Sequence, residues 1–145
     1  MQIRKLTKED LPSLLELYTQ LDSANADLQP GPSSKIWKEI EENKNITYIG
    51  AVDQGKVVAT CFTVIIPNLT NQNRPMCFIE NVVTDQNYRK QGLGKKVIDE
   101  AIRIAKENNC YKVFLESGVK RTEAHKFYEK LGFRSDSKKA FIIRM

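Results

Sequence analysis

The chain has 145 residues, of which 41% are hydrophobic and 28% are charged. It is therefore long enough to form one domain with a substantial core and too hydrophobic for a disordered chain, and we expect a single domain over residues 1–145. Its 23 lysines and arginines exceed its 18 aspartates and glutamates by five, which favours an anionic partner: a nucleic acid, a membrane surface or a phosphorylated small molecule.

The N-terminal third predicts a short strand followed by two helices. The strand covers Gln2–Leu6, and the spacing of Thr7 and Asp10 is typical of a capping box at a helix start. Apolar side chains then recur at helical spacing. Residues 24–34 are rich in proline, serine and asparagine and predict a mobile loop. A short helix is expected over Lys35–Asn43.

The rest of the chain alternates strands and helices. Two β-rich runs around Asp53-Gln54-Gly55 predict a hairpin, and a polar loop at 67–75 separates them from the next strand. The clearest helix has one apolar and one charged face. The expected elements are strands Ile46–Val52, Lys56–Ile66 and Met76–Thr84, helix Gly92–Asn108, strand Tyr111–Glu116, helix Thr122–Leu131 and strand Ala140–Arg144. This order implies a mixed α/β sheet with helices on both faces.

A glycine-rich turn joins the Val82-Val83 strand to this long helix. Its pattern is Arg89-x-x-Gly92-x-Gly94. The first turn of a helix has free N–H groups and a positive dipole end, and glycines let an anion approach the backbone closely. Positive side chains surround this point: Arg89, Lys90, Lys95 and Lys96. Such a turn is therefore suited to bind a diphosphate ligand.

Two common diphosphate-binding motifs do not fit this turn. A P-loop requires serine or threonine where Lys96 stands. A Rossmann turn requires a third glycine where Val97 stands, and the preceding hairpin suits a Rossmann unit poorly.

The turn resembles the acetyl-CoA pyrophosphate loop of the GNAT superfamily of N-acetyltransferases. The stretch from Ala124 through Phe127-Tyr128 to Phe133 resembles the downstream motif of that superfamily. The order of elements extends the resemblance over nearly the whole chain. The resemblance implies an α/β GNAT acyl-CoA N-acyltransferase fold, with a mixed, mostly antiparallel sheet, about four helices and splayed central strands. It also implies acetyl-CoA as co-substrate.

The resemblance assigns cofactor contacts to the strand before the turn and to the turn itself. The strand would pair through its backbone with the pantetheine arm, whereas its valines could equally be plain strand core. Arg121 stands where many members have an asparagine that contacts the cofactor, and it could instead meet a phosphate. The cofactor residues implied are Val82, Val83, Thr84, Arg89, Lys90, Gln91, Gly92, Leu93, Gly94, Lys95 and Arg121.

Tyr128 matches the tyrosine that such enzymes use as general acid, and a phenol with a pKa of about 10 can protonate a leaving thiolate with a pKa of about 8.5. The alternative role of Tyr128 is a core aromatic on its helix. Glu80, an acid within an apolar strand, is the best candidate base because the attacking amine must lose a proton. The alternative is a structural glutamate paired with a nearby arginine or lysine.

Five further polar or aromatic positions carry weaker expectations. Glu116 and Ser117 end a strand close to where the acetyl group should lie. Trp37 and Tyr18 could line the acceptor pocket, although core packing is the more ordinary role of each. His125 lies off the apolar face of its helix, which favours an exposed position over a catalytic one.

The resemblance favours an acetyl-CoA-dependent enzyme that acetylates a primary amine of a small metabolite by direct attack in a ternary complex. Features are shared with glucosamine-6-phosphate and aminoalkylphosphonate acetyltransferases, whose anionic substrates would suit the net charge of +5. A protein or peptide amine acetyltransferase is an alternative, and a homodimer is a possible assembly. A non-catalytic nucleic-acid-binding domain is disfavoured because acids interleave the basic residues and no binding signature is present.

The remaining expectations concern metal sites, disulfides and cellular location, and they come from the cysteines and the N-terminus. Cys61, Cys77 and Cys110 form no C-x-x-C pair and there is one histidine, so neither a metal site nor a disulfide framework is predicted. Cys61 and Cys77 lie in apolar runs and should be buried. No signal peptide and no apolar run of about 18 residues is found, so we expect a cytoplasmic protein without a membrane partner.

Overall fold

Five strands form one open sheet in which the spatial order equals the chain order, in a computed structural model that describes residues 1–145. The strands are β1 (Gln2–Lys5), β2 (Ile46–Asp53), β3 (Lys56–Ile66), β4 (Met76–Thr84) and β5 (Lys112–Leu115). The helices are α1 (Leu11–Tyr18), α2 (Pro30–Glu42), the single turn α3 (Thr70–Asn73), α4 (Leu93–Glu107) and α5 (Thr122–Lys130). None of them combines the length and the apolar character needed to cross a bilayer.

The sheet is antiparallel from β1 to β4 and parallel between β4 and β5. The tight Gln54-Gly55 turn, with φ of 48° and 80°, joins β2 to β3 and permits antiparallel pairing. A parallel pair needs a crossover, which α4 supplies. The predicted mixed, mostly antiparallel α/β sheet is confirmed.

Two hydrophobic cores cover the two faces of the sheet. On one face α4 and α5 pack against the middle strands through fourteen buried residues, among them Ile79, Val97 and Tyr128. Cys61 and Cys77 are fully buried on this face, as expected. On the other face α1 and α2 supply five of the nine buried residues, among them Leu14 and Trp37, and Leu6 and strand valines supply the rest. The apolar stripes seen in the sequence therefore do bury against opposite sides of one sheet.

The capping box that the sequence predicts at Thr7 and Asp10 is present, but it begins a 3-10 turn over Lys8–Asp10, and α1 follows only at Leu11. The Asp10 carboxylate accepts the Thr7 backbone N–H at 2.9 Å and binds the Arg4 guanidinium at 2.7 and 2.8 Å. Asp10 is only 5% exposed, and the Arg4 hydrogen bond holds the pKa of Asp10 below its ordinary value. The charge of this buried carboxylate is therefore compensated.

Two predicted elements differ from the structure. Helix α2 begins at Pro30 rather than at Lys35, so the expected loop at 24–34 is partly helical. Prolines are tolerated in a first helical turn because its N–H groups have no partner within the helix. The strand predicted at Ala140–Arg144 was wrong: these residues form no regular structure, because a strand needs a partner and this segment has none within the chain.

Candidate active site

The two halves of β4 have different neighbours. Residues 76–79 pair with β3 on one side and with β5 on the other, and the pairing to β5 ends at Ile79 and Leu115. Residues 80–84 pair with β3 alone. One edge of this second half therefore faces a gap where β5 has diverged. These are the splayed central strands that the resemblance implied.

A bulge at Asn81 changes the course of β4 at the point where the gap opens. Phe62 pairs with Glu80 but Thr60 pairs with Val83, so Asn81 and Val82 together face one residue of β3. Asn81 has φ of 52°, and asparagine tolerates this left-handed conformation better than most residues. After the bulge, Val82 packs against the core on the α4 face and Val83 against the core on the α1 face.

A cavity of about 230 Å³ lies in the gap beside β4. Its lining includes five residues that the resemblance assigned to the cofactor, together with two residues just beyond the end of α1. The lining residues are Gln20, Leu21, Val82, Val83, Thr84, Arg89 and Arg121. A larger surface depression lies at the end of α2, but it has no hydrophobic lining residue, and ligand sites are usually lined by apolar groups.

The N-terminus of α4 lies at the end of this open half of β4. Its first helical hydrogen bond runs from Lys96 N–H to Gly92 O at 3.1 Å, and no side chain caps the helix. The amides of Leu93, Gly94 and Lys95 consequently have no partner within the protein. Three free amides at the positive end of a helix dipole can bind an anion.

Two glycines make this helix start possible. Gly92 has φ of 77°, a left-handed conformation that glycine adopts without strain. A Cβ at Gly94 would lie 3.3 Å from Thr84 Oγ1 and 3.4 Å from a Phe127 ring carbon. Gly94 therefore allows α4 to approach both β4 and α5 closely.

The positive side chains around the turn are exposed, and two of them have partners within the chain. Arg89 Nε donates to Thr84 O at 3.4 Å, which directs this side chain back toward β4. Lys95 pairs with Asp99 at 2.5 Å along the helix surface. Lys90 and Gln91 are exposed, whereas Leu93 is buried in the core and offers only its backbone.

Tyr128 projects from α5 into the core beneath the gap and is 7% exposed. Its ring packs against Phe127 and Phe133, but its hydroxyl makes no hydrogen bond within the protein. Burial raises the pKa of Tyr128, while the charge of Arg121 lowers it and that of Glu80 raises it. The structure thus places the side chains of Tyr128, Arg121 and Glu80 close enough to interact electrostatically.

Glu80 lies at the start of the open half of β4 and is partly exposed. One carboxylate oxygen accepts the Asn81 backbone N–H at 3.0 Å. No arginine or lysine forms a salt bridge with Glu80, so the structural ion pair weighed as its alternative role is not observed. The other carboxylate oxygen makes no bond within the protein.

Aromatic side chains line the α1 and α2 side of the same region. The rings of Trp37 and Tyr48 lie 5.2 Å apart, and Tyr48 stacks on Phe62, the partner of Glu80, at 4.8 Å. Trp37 and Tyr18 are core residues, which was their more ordinary expected role. Nevertheless, Tyr18 Oη and Trp37 Nε1 are buried without a hydrogen-bond partner.

Asp85, which the sequence did not single out, organises the turn between β4 and α4. It is 2% exposed, accepts the Asn87 N–H at 2.9 Å and the Gln20 side-chain amide at 3.2 Å, and lies 3.8 Å from Lys56 Nζ. The Asn87 hydrogen bond is the main cause that holds the pKa of Asp85 below its ordinary value. The Asp-x-Asn spacing is a recognisable turn signal, whereas nothing in the sequence links Gln20 to it.

The remaining candidates lie beyond β5. Glu116 is exposed, and Ser117 Oγ is buried without a partner. His125 is half-buried rather than exposed, and its Nε2 lies 2.9 Å from Gly118 O. That contact ties α5 to the loop before it and leaves His125 outside the cavity lining.

Known proteins resemble this chain over nearly its whole length. Residues 8–133 match the model of the Acetyltransferase (GNAT) family. The chain is 33% identical over 139 residues to a glucosamine 6-phosphate N-acetyltransferase of Trypanosoma brucei brucei, covering 93% of this chain and 90% of that protein. The crystal structure of the glucosamine-6-phosphate N-acetyltransferase of Arabidopsis thaliana matches with a TM-score of 0.85 and 29% identity, over 98% of this chain and 97% of that one.

A solved acetyltransferase structure from Agrobacterium tumefaciens str. C58 matches with a TM-score of 0.95 and 39% identity over 100% of both chains. These matches confirm the resemblance and the fold inferred from the turn and from the α5 motif. The chain therefore belongs to the acetyltransferase (GNAT) family, a family of N-acetyltransferases.

Proposed function

We propose that the protein is an acetyl-CoA-dependent enzyme that transfers the acetyl group to a primary amine of a small metabolite by direct attack in a ternary complex. One observation carries this proposal: the unpaired edge of β4 leads from Glu80 through the cavity to three free amides at the start of α4. Members of the GNAT family generally use acetyl-CoA, and a thioester whose long pantetheine arm leads to a diphosphate suits such a path.

The unpaired backbone of Val82–Thr84 would hold the pantetheine arm as an added strand, because that edge has amide and carbonyl groups without a β5 partner. The CoA diphosphate would bind the amides of residues 93–95, with Gly92 and Gly94 allowing close approach. Arg89, Lys90 and Gln91 surround this end of the path. Arg121, which lines the cavity directly before α5, would meet a phosphate of the cofactor.

The transfer step needs an acid that keeps its proton until the thiolate leaves. The amine nitrogen attacks the thioester carbonyl carbon, and the C–S bond then breaks with its electron pair on sulfur. Tyr128 would donate the phenolic proton to that sulfur. Its raised pKa keeps the phenol neutral near pH 7, and its hydroxyl is committed to no other group, so it is suited to this role.

The attacking amine must first lose a proton, and Glu80 is the proposed acceptor, directly or through a water. Glu80→Gln should lower kcat/KM most at low pH, where a base is needed most because the amine is more fully protonated. Exposed Glu41, which lies on α2 and forms no ion pair, is changed to Gln as the matched control. A pH–rate profile of Glu80→Gln that superimposes on the parent profile would assign the proton to another acceptor.

A phosphorylated amino sugar, or another small anionic amine, is the proposed acceptor class. Two relatives named glucosamine 6-phosphate N-acetyltransferase, from Trypanosoma brucei brucei and Arabidopsis thaliana, are aligned over 90% and 91% of their own length, and the net charge of +5 suits such a substrate. The partly exposed aromatic pair of Tyr48 and Phe62 beside Glu80 suits one compact acceptor. The rival acceptor within the family is an amine of a protein or peptide.

The proposal is tested by cofactor binding and by thiol release. Saturating acetyl-CoA should raise the melting temperature, and CoA should retain most of that rise because both carry the diphosphate. Release of free thiol should then depend on the added amine. It should be faster with amino sugar phosphates than with neutral amino sugars or peptides. An unchanged melting temperature would contradict the proposal that acetyl-CoA is the co-substrate. Thiol release that is fastest with peptides would contradict the proposal that the acceptor is a small anionic amine.

A further inference from the structure

The chain leaves β4 through a tight turn at residues 85–88, the 85–88 turn, in which every backbone N–H after the first residue is bonded. Asp85 accepts the Asn87 N–H through its carboxylate at 2.9 Å and the Tyr88 N–H through its carbonyl oxygen at 2.8 Å. The Gln86 N–H has no acceptor within the turn. It donates to the side-chain carbonyl of Gln20 at 3.0 Å, a residue 66 positions earlier in the chain.

The other end of the Gln20 amide is bonded to the same turn. Its nitrogen donates to the Asp85 carboxylate at 3.2 Å. Asp85 is 2% exposed, and a buried carboxylate needs such donors. Gln20 therefore holds the 85–88 turn with one acceptor and one donor, a pair of contacts that an apolar side chain cannot make.

Helix α1 gives Gln20 a fixed base. Ser13 Oγ accepts a backbone N–H of β3 at 2.8 Å, which ties the helix to the sheet. Lys56 Nζ lies 3.4 Å from the Glu16 carboxylate and 3.8 Å from that of Asp85, so a second residue of α1 is linked to the turn through a lysine. The 85–88 turn thus rests on the end of α1, and Gln20 is the contact that reaches its backbone.

Residues 89–92, which lead from this turn to α4, have few attachments of their own. No backbone N–H among them is bonded to another backbone group. The side chains of Arg89 and Gln91 instead donate back to Thr84 O and Asn87 O, each at 3.4 Å. The course of residues 89–92 therefore depends on how the 85–88 turn is held, and Gln20 lines the same cavity as Arg89.

We propose that Gln20 is a positioning residue for the cofactor: by holding the 85–88 turn, it sets the course of residues 89–92 and hence the geometry in which they meet the diphosphate. This role rests on the proposed function, because it takes acetyl-CoA as the ligand of the α4 turn. Both ends of the Gln20 amide are already bonded to the 85–88 turn. Gln20 therefore acts through that turn and not through a bond of its own to the cofactor.

Two thioesters separate this role from general support of the fold. Gln20→Met keeps the length of the side chain and removes both hydrogen bonds. It should raise the Kd of CoA in calorimetry about 10-fold, which corresponds to about one hydrogen bond, and raise the KM for acetyl-CoA with little change in kcat. S-acetylpantetheine carries the same thioester arm without the diphosphate, so its kcat/KM should be equal in variant and parent.

Two further variants complete the test. Gln20→Glu can still accept the Gln86 N–H but sets a second carboxylate against Asp85, so it should weaken CoA binding at least as much as Gln20→Met. Gln2→Met is the matched control, because Gln2 is exposed on β1, and it should bind CoA as the parent does.

A parent-like Kd of CoA in Gln20→Met or in Gln20→Glu would overturn this role and leave the proposed function intact. Equal losses with acetyl-CoA and with S-acetylpantetheine would also overturn it, because Gln20 would then support the whole site and not the diphosphate end. A parent chain that binds no CoA would overturn the proposed function, and the role of Gln20 with it.

Discussion

The two halves of β4 belong to one strand and differ in what lies beside them. Residues 76–79 are held between β3 and β5, whereas residues 80–84 have β3 on one side and a cavity on the other. The first half contributes fully buried Cys77 and Ile79 to the core, and in the second half Glu80 and Asn81 are partly exposed. The proposed function therefore divides stability and cofactor binding along one strand, and the division falls where β5 departs.

The bulge sharpens this division. At Asn81 the pairing with β3 shifts by one residue, so Val82 and Val83 contact opposite cores, as strand alternation requires. The open half remains firmly attached on its β3 side. We therefore expect substitutions in the first half to lower stability, and substitutions that act on the open edge to lower activity.

The largest effect should come from the paired half. Ile79→Ala removes most of a side chain that is 1% exposed and should lower the free energy of unfolding by about 2–5 kcal/mol. Val82→Ala, in the open half, removes a partly exposed side chain and should cost about 1 kcal/mol. Urea unfolding of both variants measures the difference, and equal losses would remove the distinction between the halves.

Tyr128→Phe should show the converse behaviour at the open half. Loss of the proposed proton donor should lower kcat about 100-fold, or about 2.7 kcal/mol. Stability should hardly change, because the hydroxyl has no partner within the protein and the ring remains packed. Tyr111→Phe is the matched control for thiol-release kinetics. Parent-like kcat in Tyr128→Phe would exclude the tyrosine as the acid.

The smallest effect concerns pH and the end of the open half. The pKa of Asp85 lies below its ordinary value in the folded state, so its carboxylate stabilises the fold above the unfolded pKa of about 4. That stabilisation is lost as the pH falls through the lower, folded value. Asp85→Asn should therefore be less stable than the parent at neutral pH and lose less stability on acidification. The urea midpoints of the variant and the parent, measured from neutral to acidic pH, give this difference in stability.

The control for this pH dependence is Asp27→Asn, because Asp27 is exposed and its carboxylate has no partner. The stability of Asp27→Asn should depend on pH in the same way as that of the parent. A parent-like acid slope in Asp85→Asn would mean that the carboxylate contributes nothing to folding.

Much of the site could be predicted from short-range patterns. The turn from Arg89 to Gly94 is recognisable because a helix start that admits an anion needs glycine at particular places: φ is positive at Gly92, and a Cβ at Gly94 would press against Thr84 and Phe127. The α2 start was missed because Pro30, Gly31 and Pro32 usually mark loops, although the first helical turn accepts them. The contact of Gln20 with Asp85 spans 65 residues, and no local pattern encodes it.

By itself, the sequence determined the family, the order of the strands and long helices as far as α5, the faces that α1 and α4 bury and the residues of the α4 turn. Each of these depends on spacing along one segment, where periodicity and backbone preference act directly. Only the tertiary structure decided where β5 leaves β4, that Arg121 reaches the same cavity as Val83, and that Phe141–Ile143 have no partner within the chain. These features depend on how distant segments pack, and strand pairing in particular is settled by the partner available and not by the strand alone.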